Sequence, residues 1–184
     1  MNKSSSFESV ANRFWNTVDN TLDALAIQDG TKSLTYSELD SRVNEIAATI
    51  GEARKGRPQA EPLVSLFIDH SATLVTAMMS ALVSGCGYQP LDTGFPDERL
   101  QKILQTTQPL MILTTENYLE RIKNLAGSKA QVVVISDQPP NVPVERNPVV
   151  VDALSPAYIL STSGTTNRRT ERHFTPPKKL ATCS

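Results

Sequence analysis

The sequence predicts an α/β fold in which a doubly wound, mainly parallel sheet is flanked by helices. Short, β-branched apolar runs alternate along the chain with amphipathic stretches, a pattern typical of crossover connections between parallel strands. Each apolar run has the length of a strand and is bounded by polar or turn-forming residues. The clearest predicted strands are residues 63–68, 110–113, 132–135 and 157–160.

The composition favours one soluble domain and excludes several classes of partner. The chain has 184 residues, of which 39% are hydrophobic, enough to bury a core. Its 18 basic and 19 acidic residues give a formal net charge of −1. A chain in which acidic and basic residues are so balanced offers no broad electrostatic surface for nucleic acid or an anionic membrane, so we expect neither partner.

The first residues lack the apolar core of a signal peptide, and the expected location is cytoplasmic.

The cysteines and histidines do not form a metal-binding pattern. Cys86 and Cys183 lie far apart and have no ligand-type spacing with His70 or His173. We therefore predict no metal site built from these side chains. Cys86 is interpreted as a small buried thiol, and His70 as an exposed loop residue rather than a catalytic base.

A helix is predicted to begin after Thr35. Thr35 and Glu38 have the spacing of a capping box, in which each side chain satisfies a backbone N–H of the other residue. One face of this helix is predicted to be buried. That face carries Leu39, Val43, Ile46, Ala47 and Ile50.

Two further helices have recognisable ends. Residues 74–82 are apolar almost all round, which predicts a buried helix, and the glycines of segment 85–87 suit the turn that ends it. Pro96 suits the first turn of the next helix, in which Arg99 is expected to pair with a nearby acid. Trp15 shares a helical face with neighbouring apolar residues and is interpreted as a packing residue. Pro139, Pro140, Pro143 and Pro148 predict an extended surface connection within the fold.

The last predicted strand runs into a loop rich in hydroxyl groups. Backbone N–H groups and hydroxyls around one glycine suit the oxygens of a polyphosphate, because glycine has no Cβ to prevent a close approach. Such a turn also occurs in ordinary loops, so the loop alone is weak evidence of a site. The candidate nucleotide-binding residues are Thr162, Ser163, Gly164, Thr165 and Thr166.

Together with three other segments, this loop resembles a known family. The segments are residues 34–39 (LTYSEL), 85–92 (GCGYQPLD), 95–100 (FPDERL) and 158–166 (YILSTSGTT). They stand in the same order as motifs of the adenylate-forming (AMP-binding) enzymes, and the resemblance is closest to the adenylation domains of nonribosomal peptide synthetases. Several ordered motifs are far more specific than one. The resemblance extends from Phe7 to about Thr166.

The resemblance implies a function and a set of partners. In this family a carboxylate, often an amino acid, attacks ATP to form acyl-AMP, and the acyl group then passes to the phosphopantetheine thiol of a carrier protein. Mg²⁺ accompanies ATP. By resemblance, residues 162–166 contact the β- and γ-phosphates. The family's ribose-binding aspartate, magnesium-binding acid, substrate pocket and catalytic lysine cannot be located here, so we assign no catalytic residue and expect the chain alone to be inactive.

The sequence departs from the family after Thr166. The family usually continues with Gly, a variable residue, Pro, Lys and Gly, but here Asn167 stands at the glycine position, and Arg169 and Thr170 stand at the proline and lysine positions. We therefore divide the chain into residues 1–166, the amino-terminal part of an adenylation domain, and a divergent, disordered tail at 167–184. A mobile terminus and a shifted reading frame both explain the tail.

Two alternatives remain open at the level of the sequence. The first is a non-catalytic nucleotide-binding or interaction protein that pairs with a complementing carboxy-terminal portion. The second is an unrelated α/β nucleotide binder, although the glycines of the loop fit neither the Walker nor the dinucleotide fingerprint.

Overall fold

The fold alternates strands and helices as predicted. The structure, a computed structural model, describes residues 9–30, 32–57, 62–127, 130–136, 138, 144–147, 149 and 157–160. A 3₁₀ turn at Glu116–Tyr118 precedes the last helix. The helices are α1 (Val10–Asn20), α2 (Tyr36–Gly56), α3 (Ala72–Val83), α4 (Asp97–Thr107) and α5 (Leu119–Ala126). The strands are β1 (Leu25–Asp29), β2 (Lys32–Thr35), β3 (Leu63–Phe67), β4 (Gly87–Pro90), β5 (Met111–Thr114) and β6 (Gln131–Val134).

Four parallel strands form the central sheet, in the order β4-β3-β5-β6. In the register of the sheet, Val64 of β3 pairs with Tyr88 of β4 and with Met111 of β5. The predicted strands at 63–68, 110–113 and 132–135 are confirmed, with bounds that differ by one residue. β1 and β2 form a separate antiparallel hairpin that the sequence analysis did not predict.

Helices cover both faces of the sheet, which confirms the doubly wound fold. Alternate residues of each strand point to opposite faces. Leu66 of β3 and Met111 of β5 belong to the core cluster that also contains Ile50 of α2 and Ala77 of α3. A second cluster of buried residues, on the other face, joins the sheet to α4 and α5: Phe67, Ile112, Leu100, Ile103, Leu104 and Ile122.

α1 packs on α2 and α3 through a smaller apolar cluster. Phe14, Trp15 and Val18 of α1 are buried together with Leu39 and Val43 of α2. The interpretation of Trp15 as a packing residue is therefore confirmed. Among the helices of the described residues, none is both long and apolar enough to cross a bilayer.

The capping box at the start of α2 is present. The Glu38 amide donates to Thr35 Oγ1 at 3.3 Å, and the Thr35 amide donates to Glu38 Oε2 at 2.8 Å. Two backbone N–H groups at the start of the helix are thus satisfied by side chains. On the predicted inner face, Ala47 is half-buried. The other four predicted positions are fully buried: Leu39, Val43, Ile46 and Ile50.

Gly85 turns the chain from α3 into β4. Its φ of +72° is a left-handed conformation that residues with a side chain rarely adopt. A Cβ at this position would lie 2.9 Å from Arg54 Nη1 and 2.9 Å from Val149 Cγ1. The next residue, Cys86, is buried as predicted, and burial raises the pKa of its thiol.

The start of α4 differs from the prediction in two details. Pro96 lies at the N-cap with ψ 146° rather than in the first turn, because the residue before a helix is extended. Arg99 does not pair with an acid among the described residues. Its guanidinium lies over the Phe95 ring, 3.7 Å from the centroid, where the π-face attracts the cation.

One arginine fastens a late segment of the chain to the first two helices. Arg146 donates from Nε and Nη2 to Asp40 Oδ2 at 3.1 and 3.0 Å, and from Nη1 to Asp19 Oδ1 at 2.7 Å. Asp40 is largely buried, so this pair is less screened than a surface ion pair. Residues 144–147 are thereby held against α1 and α2. Pro139, Pro140, Pro143 and Pro148 of the predicted connection lie outside the described residues.

Removing the α2 cap is expected to destabilise the fold. Thr35→Ala deletes the hydroxyl that accepts from the Glu38 amide, and the free energy of unfolding should fall by about 1 kcal/mol. Urea denaturation followed by circular dichroism measures this change. Thr49→Ala, on the exposed face of the same helix, is the control and should change stability by less than about 0.5 kcal/mol. Equal losses in the two variants would contradict a specific role for the cap.

Alanine at Gly85 is expected to cost more than alanine at Gly30. Both glycines have positive φ, but a Cβ at Gly30 meets nothing within 4 Å, whereas one at Gly85 meets Arg54 and Val149. Gly30→Ala should therefore lose about 1 kcal/mol from backbone strain, and Gly85→Ala about 2 to 4 kcal/mol from strain and overpacking together. The same urea denaturation compares them. A Gly85→Ala variant as stable as Gly30→Ala would refute the close approach.

Candidate functional site

The carboxyl ends of all four sheet strands lie at one edge of the sheet, because the strands are parallel. We call this the carboxyl edge. From β3 the chain crosses to β4 on one side, and from β4 it returns to β5 on the other side of β3. Ligands of open α/β sheets bind outside the carboxyl ends at such a change of direction. The residues that follow β3 and β5 are therefore the first place to search for a site.

Asp69, two residues after β3, joins three segments at the carboxyl edge. Thr93, from the loop after β4, donates its hydroxyl to Asp69 Oδ1 at 2.7 Å. Tyr118, from the 3₁₀ turn after β5, donates its hydroxyl to Asp69 Oδ2 at 2.6 Å. Both carboxylate oxygens thus accept a short hydrogen bond of the charge-assisted kind. The network fixes the loops after three neighbouring strands relative to one another.

The network changes the pKa values of its members. The hydrogen bonds from Tyr118, first, and from Thr93 favour the charged carboxylate and lower the pKa of Asp69. The same bond to the carboxylate raises the pKa of the Tyr118 hydroxyl. Asp69 and His70 are both exposed, which agrees with the expectation that His70 is a solvated loop residue.

Arg121 of α5 holds the loop between β4 and α4. It donates from Nη1 to the Thr93 carbonyl at 2.6 Å and from Nη2 to the Phe95 carbonyl at 2.7 Å. Nε and Nη2 also donate to Asp97 Oδ1 at 2.9 and 2.7 Å. A guanidinium satisfies several acceptors at once because its donors diverge from one rigid plane. Phe95 and Asp97 of the FPDERL segment thus have a structural role.

A cleft of about 960 Å³ opens at the carboxyl edge on the β5–β6 side. The β1–β2 hairpin forms one wall, and Asp29 Oδ2 ties this hairpin to α3 by accepting from the Ala72 amide at 2.9 Å. The Arg42 Nε atom is buried and has no hydrogen-bond partner among the described residues. The cleft volume is within the range of small-molecule sites. The lining carries charges of both signs, from Lys32, Arg42, Asp69 and Glu116 among others.

A short extended segment runs beside β4 towards the carboxyl edge. The Tyr88 amide donates to the Ala157 carbonyl at 3.1 Å, and the Ile159 amide donates to the Tyr88 carbonyl at 2.9 Å. The bridge between Tyr88 and Tyr158 is parallel, and their rings stack with centroids 6.0 Å apart. Residues 157–159 therefore run beside β4 in the direction of the sheet. The pairing is an isolated bridge, so the strand predicted at 157–160 is not formed in the described residues. By this register Leu160 is level with Pro90, the last residue of β4, and lies at the carboxyl edge.

The predicted nucleotide-binding residues themselves are not described. Thr162, Ser163, Gly164, Thr165 and Thr166 lie outside the described residues, as does the predicted tail at 167–184. The structure does describe residues 157–160, which precede this loop in the chain. The Asp69 network and the Arg121 contacts were not predicted from the sequence. A signal was present in the polar residues that directly follow buried strands, such as Asp69 after Ile68.

The described residues contain no cluster of three or more His, Cys, Asp or Glu side chains that could hold a metal ion. The Mg²⁺ that the resemblance implies is usually held by one or two carboxylates and the substrate phosphates, and we assign it no ligand here. Carboxylate oxygens suit Mg²⁺, but Asp69 already accepts hydrogen bonds from Thr93 and Tyr118.

Comparisons with known sequences identify a family. A family profile described as AMP-binding enzyme matches residues 14–169. The chain is 32% identical over 151 residues to N-(5-amino-5-carboxypentanoyl)-L-cysteinyl-D-valine synthase of Amycolatopsis lactamdurans, covering 79% of this chain and 4% of that protein. It is 32% identical over 147 residues to nonribosomal peptide synthetase 4 of Gibberella zeae, covering 80% and 2%. The chain thus spans a few per cent of the length of these relatives.

Solved structures have the same fold. The nonribosomal peptide synthetase FmoA3, in a form bound to α-methyl-L-serine-AMP, matches with a TM-score of 0.72 and 21% identity, over 88% of this chain and 18% of that one. The amino-terminal subdomain of Klebsiella oxytoca NpsA, in complex with 3-hydroxybenzoyl-AMSN, matches with a TM-score of 0.65 and 18% identity, over 90% and 41%. The described fold is therefore part of an adenylation-domain fold.

Tyr118→Phe is expected to raise the pKa of Asp69 towards its ordinary value, because it deletes the hydrogen bond that lowers this pKa most. A group with a lowered folded-state pKa stabilises the fold above its unfolded pKa, and this contribution is lost as the pH falls through the folded value. The acid-induced loss of stability should thus be smaller in the variant. Carboxyl NMR titration measures the pKa, with Tyr36→Phe as the control. An unchanged Asp69 pKa in Tyr118→Phe would contradict the network.

Proposed function

The chain belongs to the AMP-binding enzyme family, and from this membership we propose that it supplies a nucleotide-binding part of a module that adenylates a carboxylate with ATP. One observation carries the proposal. Residues 157–159 lie parallel to β4 and run towards the carboxyl edge. Ligands of open α/β sheets bind at this edge. Family membership makes ATP the expected ligand.

The loop would bind the β- and γ-phosphates through neutral donors. Thr162, Ser163, Thr165 and Thr166 carry hydroxyl groups, and Gly164 allows the backbone to approach the phosphate oxygens. Backbone N–H groups of such a loop add further donors. Hydrogen bonds to a charged acceptor are about twice as strong as neutral ones, so several together give useful affinity.

The Asp69 network would prepare the edge for this loop. It links the segments after β3, β4 and β5 by hydrogen bonds of 2.6 and 2.7 Å. Because these segments are held in place before the nucleotide binds, they do not lose conformational entropy on binding. Asp69 is itself an anion, and its two hydrogen bonds reduce its repulsion of a neighbouring phosphate. We assign it a positioning role and no proton transfer.

The proposed reaction has two steps. The substrate carboxylate attacks the α-phosphorus of ATP, the bond to the β-phosphate oxygen breaks, and acyl-AMP and pyrophosphate form. A thiol on the phosphopantetheine arm of a carrier protein then attacks the acyl carbon and releases AMP. An amino acid is the favoured substrate because the relatives include a nonribosomal peptide synthetase. Mg²⁺ would accompany ATP, and no step is assigned to it. The supply of ATP favours the cytoplasm.

A second candidate is nucleotide binding without turnover. The observation in its favour is the sequence after Thr166, where the family's Pro and Lys positions hold Arg169 and Thr170. A guanidinium differs from an ammonium in shape and hydration, so Arg168 or Arg169 is a poor replacement for the phosphate-facing lysine. In this case the chain would bind nucleotide and pair with a complementing carboxy-terminal portion without turnover.

Calorimetric titration of the whole chain with ATP, ADP and AMP tests the binding step. ATP should bind more tightly than AMP, because the loop contacts the phosphates that AMP lacks. The double variant Ser163→Ala with Thr165→Val should bind ATP about tenfold more weakly, since two hydrogen bonds to charged oxygens are lost. Ser41→Ala with Thr49→Val makes equivalent changes on α2 and should bind like the wild type. Equal affinity for ATP and AMP would contradict the proposal.

Amino-acid-dependent exchange of radioactive pyrophosphate into ATP separates the two candidates. Because the chain alone is expected to be inactive, exchange is measured with the carboxy-terminal remainder of a relative's domain added as a second chain. Exchange that depends on an added amino acid supports the adenylating module. Binding of ATP with no exchange in this mixture supports the second candidate.

A further inference from the structure

A second cavity lies at the opposite edge of the sheet from the proposed nucleotide site. Its volume is about 430 Å³, and it lies between α2, the end of α3 and the segment around Arg146. α3 ends at Val83 and is followed closely by the start of β4 at Gly87, so the end of α3 marks the amino ends of the strands. We call this space the amino-edge cavity. Its volume is that of a small-molecule site.

The walls of the amino-edge cavity are fixed by specific contacts. Arg146 is held by Asp40 and Asp19, and these bonds place the adjoining wall residues Glu145 and Asn147 against the first two helices. A third wall residue, Val149, packs against Gly85 in the turn after α3, where the lack of a glycine side chain makes room for it. The wall residues around Arg146 and at Val149 are therefore held by specific contacts with the rest of the described fold.

A guanidinium without a counter-charge lines the amino-edge cavity. Arg54 is half-buried, and its Nη1 donates to the Ser84 carbonyl at 3.0 Å. Among the described residues, no carboxylate forms an ion pair with it. Lys55 is also in the lining, but it is exposed and pairs with Glu52. An anion that enters the cavity would stabilise the half-buried positive charge of Arg54, so this part of the lining favours a negatively charged ligand.

Two further polar groups belong to the lining. Asn44 is 4% exposed and lines the cavity. Trp15 Nε1 is buried and has no hydrogen-bond partner among the described residues. Buried donors are normally paired, and leaving one unpaired is unfavourable. A ligand oxygen that faces Arg54 would be able to accept from the Asn44 amide.

We propose that the amino-edge cavity binds a small monocarboxylate with a compact apolar body. The carboxylate faces Arg54 and accepts from the Asn44 amide, and the apolar body lies against Ala47, Val83 and the Trp15 indole. Glu145 also lines the cavity but is exposed, so water screens its charge. The site lies at the far edge from the proposed ATP loop, and its occupation does not depend on the proposed function.

Tryptophan fluorescence of the whole chain tests this site directly. The 184 residues contain one tryptophan, Trp15, and it is part of the cavity wall. Cyclohexanecarboxylate is a suitable probe because it absorbs no exciting light. Cyclohexanecarboxamide is its neutral counterpart of nearly the same shape. We expect a saturable fluorescence change with the carboxylate, at a concentration about tenfold lower than with the carboxamide.

Gly51→Leu is the variant that fills the cavity. Gly51 lines the cavity within α2, and a Cβ there meets nothing within 4 Å, so leucine is accommodated and improves helix propensity. Gly56→Leu at the end of the same helix also meets open space but lies outside the lining, which makes it the matched control. Gly51→Leu should lose the saturable change, and Gly56→Leu should keep it. Circular dichroism verifies that both variants are folded.

A second variant separates charge from shape. Arg54→Gln retains a hydrogen-bond donor for the Ser84 carbonyl but removes the positive charge. It should reduce the affinity for the carboxylate about tenfold and leave that for the carboxamide unchanged. Three results would overturn the proposal: no saturable change in the wild type, equal affinity for the two probes, or wild-type affinity in Gly51→Leu.

Discussion

The parallel pairing of β3 with β4 and β5 is the constraint on which the rest of the structure depends. All five residues of β3 are buried, so both faces of this strand are covered. β3 is also hydrogen-bonded on one side to β4 and on the other to β5. Because the three strands are parallel, their carboxyl ends lie together at one edge of the sheet and their amino ends at the opposite edge. Asp69 meets Thr93 and Tyr118 because each follows one of these three strands. The amino-edge cavity lies at the opposite edge of the sheet, beside the carboxyl end of α3.

Much of the secondary structure could be predicted from the sequence, because it depends on neighbours along the chain. The capping box of α2 joins residues three apart, and the strands of the sheet are marked by short apolar runs. The contacts of Arg146 could not be predicted, since its partners Asp40 and Asp19 are 106 and 127 residues away and a single charged residue has no periodic signal. The β1–β2 hairpin was missed because its strands are five and four residues long and only partly buried. The loop at 162–166 was found by its motif and stays a prediction.

The two edges of the sheet have different chemistry. The carboxyl edge combines loops that hydrogen bonds hold together with a cleft of mixed charge, an arrangement suited to a polar ligand such as ATP. The amino edge has a smaller cavity whose described lining includes a cation without a counter-charge and an apolar wall, which favours a small organic anion. The matching part of the family covers residues 14–169, so both edges lie within it. α3 connects the two edges: Asp29 accepts a hydrogen bond at its start, and Arg54 donates to the carbonyl of Ser84 just after its end.

We propose that ATP binds this chain at the carboxyl edge, through the loop that follows Leu160. A backbone amide chemical-shift map recorded during titration with ATP tests this binding, because it locates the ligand on the fold residue by residue. Saturable shifts are expected in residues 160–166 and in the adjoining amides around Asp69 and Thr93, with none around Arg54. Shifts confined to the amino edge, or no saturable shift at either edge, would contradict it.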